Sequence, residues 1–501
     1  MCSAAKWEAD AGGTAEDADT TAARRLSNPM MSHFSVRSAA IAALAFAATS
    51  ATASAQWFST APANSPAPRS GAPFAFDALR NTCVLFGGSQ PQFGAYTETW
   101  TFDGAEWTQE NPLASPPGRG GAGMVFDAQR GVTVMFGGIS NSPFGGSSYN
   151  DTWEWDGLTW TQRTTATTPF RSGRYGMAYD TLRGRTVVFG GVPSTLLLGA
   201  SNQTWEYDGT NWQQRNVAVN PGALDGPAMC FSETLGTCVL FGGVAPVTGA
   251  MSTATWMWNG TAWTQANVFG SPPSARYEAS MTFDPTRGVC VLHGGVTAGG
   301  MVLDDTWEFD GATWTLVSTG APGPRRCASM AFDRYRGTNV LYGGSNSLAG
   351  GISTILGDTW TYGPSYAPFG SGCAGSSGVP FLSASIGPRL GQTFAPTIQN
   401  LVASFPLAVV ALGFSDTSWS GVPLPLDMTS AGIPGCSLFV AADRIDVIAA
   451  QNGIGQQFLA IPVDPWFLGA VFYQQGFSFE LPGFNAFGGV LSNAARARIG
   501  F

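Results

Sequence analysis

Five arginines recur near the same point of a repeat of about fifty residues: Arg69, Arg119, Arg174, Arg276 and Arg325. A guanidinium group can donate two parallel hydrogen bonds to one carboxylate or sulfate, so a ring of arginines would suit the acidic groups of a glycan. The alternative is structural, because an arginine that occurs in five of six repeats can brace neighbouring loops. Binding sites usually break the symmetry of a repeating scaffold, which favours the structural role.

Residue scarcity excludes several kinds of active site. The only lysine is Lys6, and the only histidines are His33 and His293. A phosphate-binding P-loop lysine, a Schiff-base lysine and a site with two histidines are therefore excluded from the body of the protein. No C-x-x-C pair occurs, so no zinc site is expected, and we expect neither another metal nor a cofactor. The net charge of −9 argues against nucleic acid as a partner.

The N-terminal region is typical of a secretory signal peptide. A basic start after Met30 is followed by an apolar stretch and by Ala53-Ser54-Ala55. We predict a signal peptide at 30–55, preceded by an untranslated or disordered extension at 1–29. No later apolar segment is long enough for a membrane span, so the sequence predicts a secreted or extracytoplasmic protein, in the periplasm or at the cell surface.

Disulfides are permitted in that compartment. Cys373 and Cys436 lie in the C-terminal region and form the most plausible pair. Cys230 and Cys238 flank one tight turn and are a second candidate pair. An odd number of cysteines follows the signal peptide, so at least one thiol stays free or pairs between chains.

Two motifs show the repeat most clearly. Each of six segments contains an apolar run followed by Gly-Gly, beginning at Gly87, Gly137, Gly190, Gly242, Gly294 and Gly343. A Thr-Trp pair follows each run, and in the first five repeats a second tryptophan follows seven residues later. The segments read as four short strands, A to D, with Asp-Gly or Asn-Gly turns between C and D. An Asp-x-x-Arg-Gly turn joins A to B; the fourth repeat loses both Asp and Arg, which indicates that the two side chains pair.

This pattern resembles the kelch repeat of galactose-oxidase-like β-propellers over residues 56–363. The resemblance implies an all-β fold with a propeller of six four-stranded blades. The sixth repeat lacks its second tryptophan, whereas Gln56-Trp57 resembles strand D, so we expect the N-terminal strand to complete the last blade. Galactose oxidase itself needs histidine and tyrosine copper ligands and a Cys-linked tyrosine, and one histidine after the signal peptide cannot supply that set.

The connections on one face of such a propeller are long and differ from blade to blade. Variable loops on a rigid scaffold are where binding normally resides. Aromatic residues in these loops are candidate contacts: Phe93, Tyr96, Phe144 and Tyr149. Tyr277 and Glu278 follow Arg276 near the channel mouth and extend the candidate set. A kelch-type mutarotase would need only an acid and a base there, and Glu278 is the candidate for that role.

The C-terminal region has a different composition. A Gly/Ser/Pro-rich linker is predicted at 364–380, followed at 381–501 by short apolar runs separated by Pro-Gly and Asn-Gly turns. This pattern predicts a β-sandwich-like domain, and it resembles a domain appended to many secreted bacterial proteins. Because blade six ends after strand C, the domain should attach to the short-turn face and leave the loop-rich face open.

The sequence therefore favours a secreted, non-catalytic binding or interaction protein that uses the loop-rich face for glycans or protein partners. The alternatives are a sugar-acting propeller enzyme, of the mutarotase, epimerase or lyase type, and a structural cell-surface component. No catalytic residue is assigned, because a propeller fold by itself implies no activity.

Overall fold

The structure is a computed structural model that describes residues 55–90, 94–140, 146–192, 200–346, 354–364, 366–384, 387–389, 391–463, 470–480, 483–486 and 488–499. The predicted extension and all but the last residue of the predicted signal peptide lie outside these ranges. Within them, no helix has the length and apolar character that crossing a membrane requires.

Six antiparallel four-stranded sheets form the propeller. The first blade contains β2 (Phe74–Asp77), β3 (Thr82–Phe86), β4 (Thr99–Phe102) and β5 (Trp107–Glu110). The second contains β6 (Gly123–Asp127), β7 (Val132–Phe136), β8 (Thr152–Trp155) and β9 (Trp160–Arg163). The third contains β10 (Gly176–Asp180), β11 (Arg185–Phe189), β12 (Thr204–Tyr207) and β13 (Trp212–Arg215).

The remaining blades repeat this order. The fourth contains β14 (Ala228–Ser232), β15 (Thr237–Phe241), β16 (Thr255–Trp258) and β17 (Trp263–Gln265). The fifth contains β18 (Ser280–Asp284), β19 (Val289–His293), β20 (Thr306–Phe309) and β21 (Trp314–Ser318). The sixth contains β22 (Ser329–Asp333), β23 (Thr338–Ser345), β24 (Ile355–Pro364) and β1 (Ala55–Thr60).

The N-terminal strand closes the ring, as the sequence predicts. Strand β1 pairs antiparallel with β24, and Trp57 lies opposite Tyr362. The Trp57 indole Nε1 donates to the Thr306 hydroxyl of blade five at 2.8 Å. Trp57 therefore takes the place of the missing second tryptophan in the sixth repeat.

The same tryptophan–threonine bond joins every neighbouring pair of blades. In each, the indole of strand D donates to the threonine of the Thr-Trp pair in strand C of the preceding blade, at 2.8–2.9 Å. The six pairs are Trp57–Thr306, Trp107–Thr359, Trp160–Thr99, Trp212–Thr152, Trp263–Thr204 and Trp314–Thr255. All six indoles are buried, so these bonds form a closed circuit inside the ring.

The Asp-x-x-Arg-Gly turns make a second contact between blades. In five blades the arginine pairs with the aspartate three residues before it; Arg130 Nε, for example, lies 2.7 Å from Asp127 Oδ2. In blades one, two, three and six this arginine also covers the Asp-Gly or Asn-Gly turn of the next blade: a Cβ on Gly209, for example, would lie 2.6 Å from Arg130 Nε. The arginine side chain is flexible and could shift, but Gly209 has a φ of +93°, and this left-handed backbone favours glycine there. The predicted pairing is confirmed.

The C-terminal domain is built on an eight-stranded sheet. In sheet order its strands are β25 (Tyr366–Phe369), β38 (Gly489–Arg498), β37 (Val471–Phe479), β29 (Leu407–Gly413), β34 (Arg444–Gln451), β35 (Ile454–Gln456), β28 (Thr397–Gln399) and β26 (Phe381–Ser383). Because β26 returns to lie against β25 and β38, the sheet curls into a nearly closed, sandwich-like barrel around apolar side chains such as Ile398 and Val410. Part of the predicted linker is therefore strand.

Three short strand pairs and one 3-10 turn complete this domain. The pairs are β27 (Thr393–Phe394) with β36 (Leu459–Ala460), β30 (Ser418–Trp419) with β31 (Val422–Pro423), and β32 (Leu426–Asp427) with β33 (Ser437–Leu438). The 3-10 turn is Thr429–Ala431.

The C-terminal domain packs on the short-turn face of the propeller, and both belong to one compact unit. Arg336, in the A–B turn of blade six, lies 3.4 Å from Asp416 of the C-terminal domain. The neighbouring Tyr335 ring packs edge-on against Phe369 at 5.3 Å. The loop-rich face lies on the opposite side of the propeller, as the exit of the chain from blade six predicts.

Only one of the two expected cysteine pairs is present. Cys373 and Cys436 form a disulfide that closes a loop in the C-terminal domain. Cys230 and Cys238 are free thiols, and the expectation that they pair is wrong. Cys230 lies opposite Val239 and Cys238 lies opposite Phe231, so the one-residue offset directs the two thiols to opposite faces of the blade.

Removing strand β1, which closes the ring, should unfold the propeller. We expect deletion of residues 56–62 to abolish the cooperative thermal transition, and Trp57→Ala to cost about 3–5 kcal/mol of unfolding free energy, because a large buried side chain and its hydrogen bond are lost. Circular dichroism during heating measures both effects, with the exposed Leu79→Ala as the control. An unchanged melting curve for the deletion would contradict the role given to β1.

His293 should make the propeller sensitive to acid. It occupies the place taken by phenylalanine before Gly-Gly in the first four blades, and burial, with Arg325 nearby, lowers its pKa to about 3. The unfolded chain has the ordinary value near 6.5, so stability from this residue is present above that pH and is lost as the pH falls towards 3.

We therefore expect His293→Phe to gain about 1.4 kcal/mol over the wild type for each pH unit between 6 and 4. Urea unfolding of both proteins across that range measures the difference. Parallel pH profiles would show that the pKa of His293 is the same in the folded and unfolded chains and would contradict this account.

Candidate functional site

Four of the five recurring arginines are buried inside the loops that precede strand A. Arg69, Arg119, Arg276 and Arg325 are at most 2% exposed. In each, Nη1 donates at 2.9–3.1 Å to the carbonyl of the first Gly-Gly glycine, eighteen residues later. The backbone of the Gly-Gly turn is thereby fixed to the inner loop.

Each of these arginines also forms an ion pair with the acid that directly precedes the Thr-Trp pair of strand C. The partners are Glu98, Asp151, Asp305 and Asp358, in the same order. Arg119 binds Asp151 through both terminal nitrogens, at 2.5 and 2.9 Å. Burial by itself would raise the pKa of Asp151, but the pairing with Arg119 lowers this pKa below its ordinary value. The acid also accepts from the Trp153 indole at 2.7 Å, so its hydrogen-bonding capacity is largely used within the blade.

The loop aromatics in the described ranges cover these arginines. The Arg69 guanidinium carbon lies 4.0 Å from the Tyr96 ring centre, and that of Arg119 lies 4.1 Å from Tyr149. Phe93 and Phe144 lie outside the described residues. The geometry of the four arginines and two tyrosines therefore favours the structural role over recognition of a ligand.

Arg174 occupies a different position. The residues eighteen before Gly-Gly in blades three and four are Ser172 and Leu224, whereas Arg174 lies sixteen residues before Gly190. Its equivalents in the other blades are Gly71, Gly121, Gly226, Glu278 and Cys327. The apparent ring of five arginines thus combines two structural positions.

These six equivalent residues form a closed ring of backbone hydrogen bonds around the propeller axis. Each amide nitrogen donates to the carbonyl of its counterpart in the preceding blade, at 2.7–2.9 Å. The donors and acceptors are Gly71 to Cys327, Gly121 to Gly71, Arg174 to Gly121, Gly226 to Arg174, Glu278 to Gly226, and Cys327 to Glu278. The ring fixes the channel mouth on the loop-rich face.

The ring imposes a backbone conformation that suits glycine. All six residues have positive φ, including Arg174 at +56°, Glu278 at +56° and Cys327 at +49°. The left-handed region costs a residue with a side chain about 1–2 kcal/mol. Three blades accept this cost where a glycine would avoid it, and such strain concentrates at functional sites.

The side chains of these blades form a charged cluster at the channel mouth. Arg174 Nη2 lies 2.9 Å from Asp225 Oδ2, and its Nη1 lies 3.6 Å from Glu278 Oε1. Arg326 Nη1 lies 3.1 Å from the other Glu278 oxygen. Burial and the Glu278 carboxylate both raise the pKa of the Cys327 thiol. The cluster contains two cations and two anions.

Asp225 is the perturbed acid of this cluster. Burial, reinforced by Glu278 and opposed by Arg174, raises its pKa to about 6. Its Oδ1 is buried without a hydrogen-bond partner, and so is Arg174 Nε. Asp225 therefore exchanges a proton near neutral pH while retaining unused hydrogen-bonding capacity.

The channel mouth forms a cavity of about 420 Å³ with two unlike walls. Blades one and two supply small residues, Ser70, Gly71, Gly120 and Gly121; blades three, five and six supply Arg174, Glu278, Arg326 and Cys327. The glycines of one wall, which Gln90 and Ile139 also line, leave room for a small polar molecule to approach the charged wall. Tyr277 adjoins this cluster, and burial followed by the Glu278 charge raises its pKa.

No family model matches the chain. No curated protein matches it either. The assignment of a site therefore depends on the repeat and on the geometry of the channel mouth. Among the described residues, no group of three or more His, Cys, Asp or Glu side chains could hold a metal ion.

Sequence reasoning missed Asp225, Arg326 and Cys327 as members of the cluster. Counting back sixteen residues from each Gly-Gly pair would have found Cys327 and separated Arg174 from the other arginines. Asp225 and Arg326 each directly precede a residue of the axial ring. Ser70 and Gly120 occupy the same repeat position in other blades, and nothing in the repeat pattern marks this position as functional.

Arginine substitutions should distinguish the two positions. We expect Arg119→Met to cost about 3–5 kcal/mol of unfolding free energy, because it leaves Asp151 buried without its partner. Arg174→Gly at pH 6 should change stability by less than about 1 kcal/mol, since glycine relieves the backbone strain and Asp225 can take up a proton. Urea unfolding measures both values, and equal losses would contradict the separation of the two sets.

Proposed function

We propose that the protein is a secreted, non-catalytic binding protein of the kelch type that holds a saccharide at the channel mouth of its propeller. The observation that supports this most directly is the asymmetry of the axial hydrogen-bonded ring. Its backbone repeats in all six blades, but only Arg174, Glu278 and Cys327 add side chains. A scaffold requirement would apply to every blade, whereas a ligand requires only some of them.

The chemistry of the cluster suits a ligand rich in hydroxyl groups. At the cavity wall Glu278 supplies an acceptor and Arg174 and Arg326 supply donors, and the Asp225 carboxylate, which pairs with Arg174, makes the formal charges of the cluster cancel. Hydroxyl groups both donate and accept, so sugar rings can use both kinds of partner without bringing a net charge. A volume of about 420 Å³ lies within the usual range for small-molecule sites.

Access and compartment support the same proposal. The C-terminal domain contacts the short-turn face through Arg336 and Tyr335, which leaves the channel mouth uncovered by that domain. The Cys373–Cys436 disulfide is compatible with an oxidising, extracytoplasmic compartment.

A sugar-acting enzyme is the second candidate, and Asp225 is the observation that favours it. A carboxyl group with a pKa of about 6 can donate a proton near neutral pH, and Glu278 lies in the same cluster as an acceptor. Two such groups beside one sugar carbon or oxygen are the minimum for an epimerase, a mutarotase or a lyase.

The test begins with a glycan array probed with the full secreted chain, followed by calorimetry on the best mono- or disaccharide. We expect Glu278→Gln and Arg174→Gly to weaken binding at least tenfold, because each removes a partner at the cavity wall. Arg444→Gln is the matched control, since Arg444 is exposed on the C-terminal domain.

The outcomes separate the candidates. Absence of saccharide binding, or unchanged binding by both variants, contradicts the proposal and favours a structural surface component. Turnover of the bound sugar, followed by NMR and lost in Glu278→Gln while binding persists, would establish the enzyme instead.

A further inference from the structure

A second cavity, of about 640 Å³, lies between the propeller and the C-terminal domain. Its propeller wall includes β1 and the C–D turn of blade one at Gly104 and Ala105. Its other wall comes from the C-terminal domain and includes Phe414, Tyr473, Arg496 and Arg498. It lies on the short-turn face and is therefore separate from the channel mouth.

Arg498 is the unusual group in this cavity. The residue is 6% exposed, and its Nε is buried without a hydrogen-bond partner. Its Nη1 approaches the Ser59 carbonyl only at 3.5 Å, and its guanidinium carbon lies 4.9 Å from the Phe58 ring centre. No carboxylate among the described residues forms an ion pair with it.

In the part of the chain that the structure describes, no acid neutralises this charge. Arg496, two residues earlier on β38, is also buried and lines the same cavity. Of the acids near Arg496, Asp333 is paired with Arg336 at 3.0 Å, and Asp416 lies 3.4 Å from the same arginine. Burial, and then the charge of Arg496, lower the pKa of Arg498 to about 9. Among the described residues, Arg336 and Arg496 thus share two aspartates, and no acid is left to balance the charge of Arg498.

The rest of the chain shows what a structural buried arginine looks like here. Arg119 is equally inaccessible, but its donors reach Asp151 twice and the carbonyls of Gly137 and Pro117. An isolated buried charge carries a desolvation cost that only a counter-charge or a full set of hydrogen bonds offsets. Arg498 has neither, although it borders a cavity large enough for a ligand.

We propose that this interdomain cavity binds an organic anion whose carboxylate or sulfate group pairs with Arg498 and whose ring lies against the aromatic wall. Phe58, Trp360, Phe414 and Tyr473 supply that wall. Aromatic faces pack against the C–H faces of sugar rings, so a uronic acid or a sulfated monosaccharide has both required features. The anion supplies the counter-charge that Arg498 lacks.

The test is calorimetry on the full secreted chain with three probes: glucuronate, glucose 6-sulfate and glucose. We expect saturable binding of the two anionic sugars and at least tenfold weaker binding of glucose. Arg498→Met keeps the apolar length of the side chain and removes the charge, so it should weaken binding of the anionic sugars at least tenfold. Arg444→Gln, which removes an exposed arginine from the same domain, should bind as the wild type does.

Thermal unfolding provides a second readout of binding and, without ligand, a measure of what Arg498 contributes to stability. Glucuronate should raise the melting temperature of the wild type and not that of Arg498→Met. Without ligand, Arg498→Met should melt at or above the wild-type temperature, because it removes a buried charge that lacks a partner. A lower melting temperature, together with no stabilisation of the wild type by glucuronate, would assign Arg498 a structural role and overturn the proposal.

Two further variants complete the design. Glu278→Gln changes the channel mouth and should not affect the binding of anions at the interdomain cavity. This variant therefore distinguishes a failure of the proposed anion site from a failure of the proposed saccharide site. Asp464→Asn addresses an acid that lies outside the described residues. If glucuronate binds this variant and not the wild type, the chain's own carboxylate fills the site and the proposal is overturned.

Discussion

The propeller depends on closure of the ring, and two circuits of hydrogen bonds achieve it. The outer circuit joins each strand-D indole to a threonine of the preceding blade. The inner circuit joins six backbone groups at the axis. Each circuit needs all six blades, so the strand contributed by Ala55–Thr60 supplies both an edge pairing and the last link of the outer circuit. Each blade keeps two edge strands of its own, so these two circuits, and not continuous sheet pairing, join the blades to one another.

The scaffold uses most of the residues that looked chemically interesting in the sequence. The buried arginines fix Gly-Gly turns and neutralise acids within the same blade, as Arg119 does with Gly137 and Asp151. Function is therefore to be sought where the repeat is broken. Arg174 and Glu278 stand where other blades have glycine, and both are held at positive φ. Arg498 also departs from the pattern of the scaffold arginines. Each of those arginines pairs with an acid, whereas no acid among the described residues pairs with Arg498.

The position of the C-terminal domain decides which surfaces remain available. It contacts the A–B turn of blade six through Asp416 and Phe369, and it faces the outer side of β1 across the interdomain cavity. The domain thus covers the closure strand and leaves the loop-rich face free. The two cavities lie on opposite faces, so ligands at each could be bound independently.

The sequence alone determined the number of blades, the strands within them and the closure by Trp57, because a fixed spacing of Gly-Gly and tryptophan requires each repeat to make the same local structure. It also determined the Asp–Arg turn pairs and the Cys373–Cys436 bridge. The tertiary structure decided which arginine side chains are available to a ligand. Sequence spacing grouped Arg174 with Arg119, whereas burial and ion pairing in the folded protein distinguish the two. Cys230 and Cys238 are close in sequence, but strand register places them on opposite faces of a blade. The grouping of Asp225, Glu278 and Arg326, and the unneutralised charge of Arg498, arise from contacts between blades and between domains that no local pattern encodes.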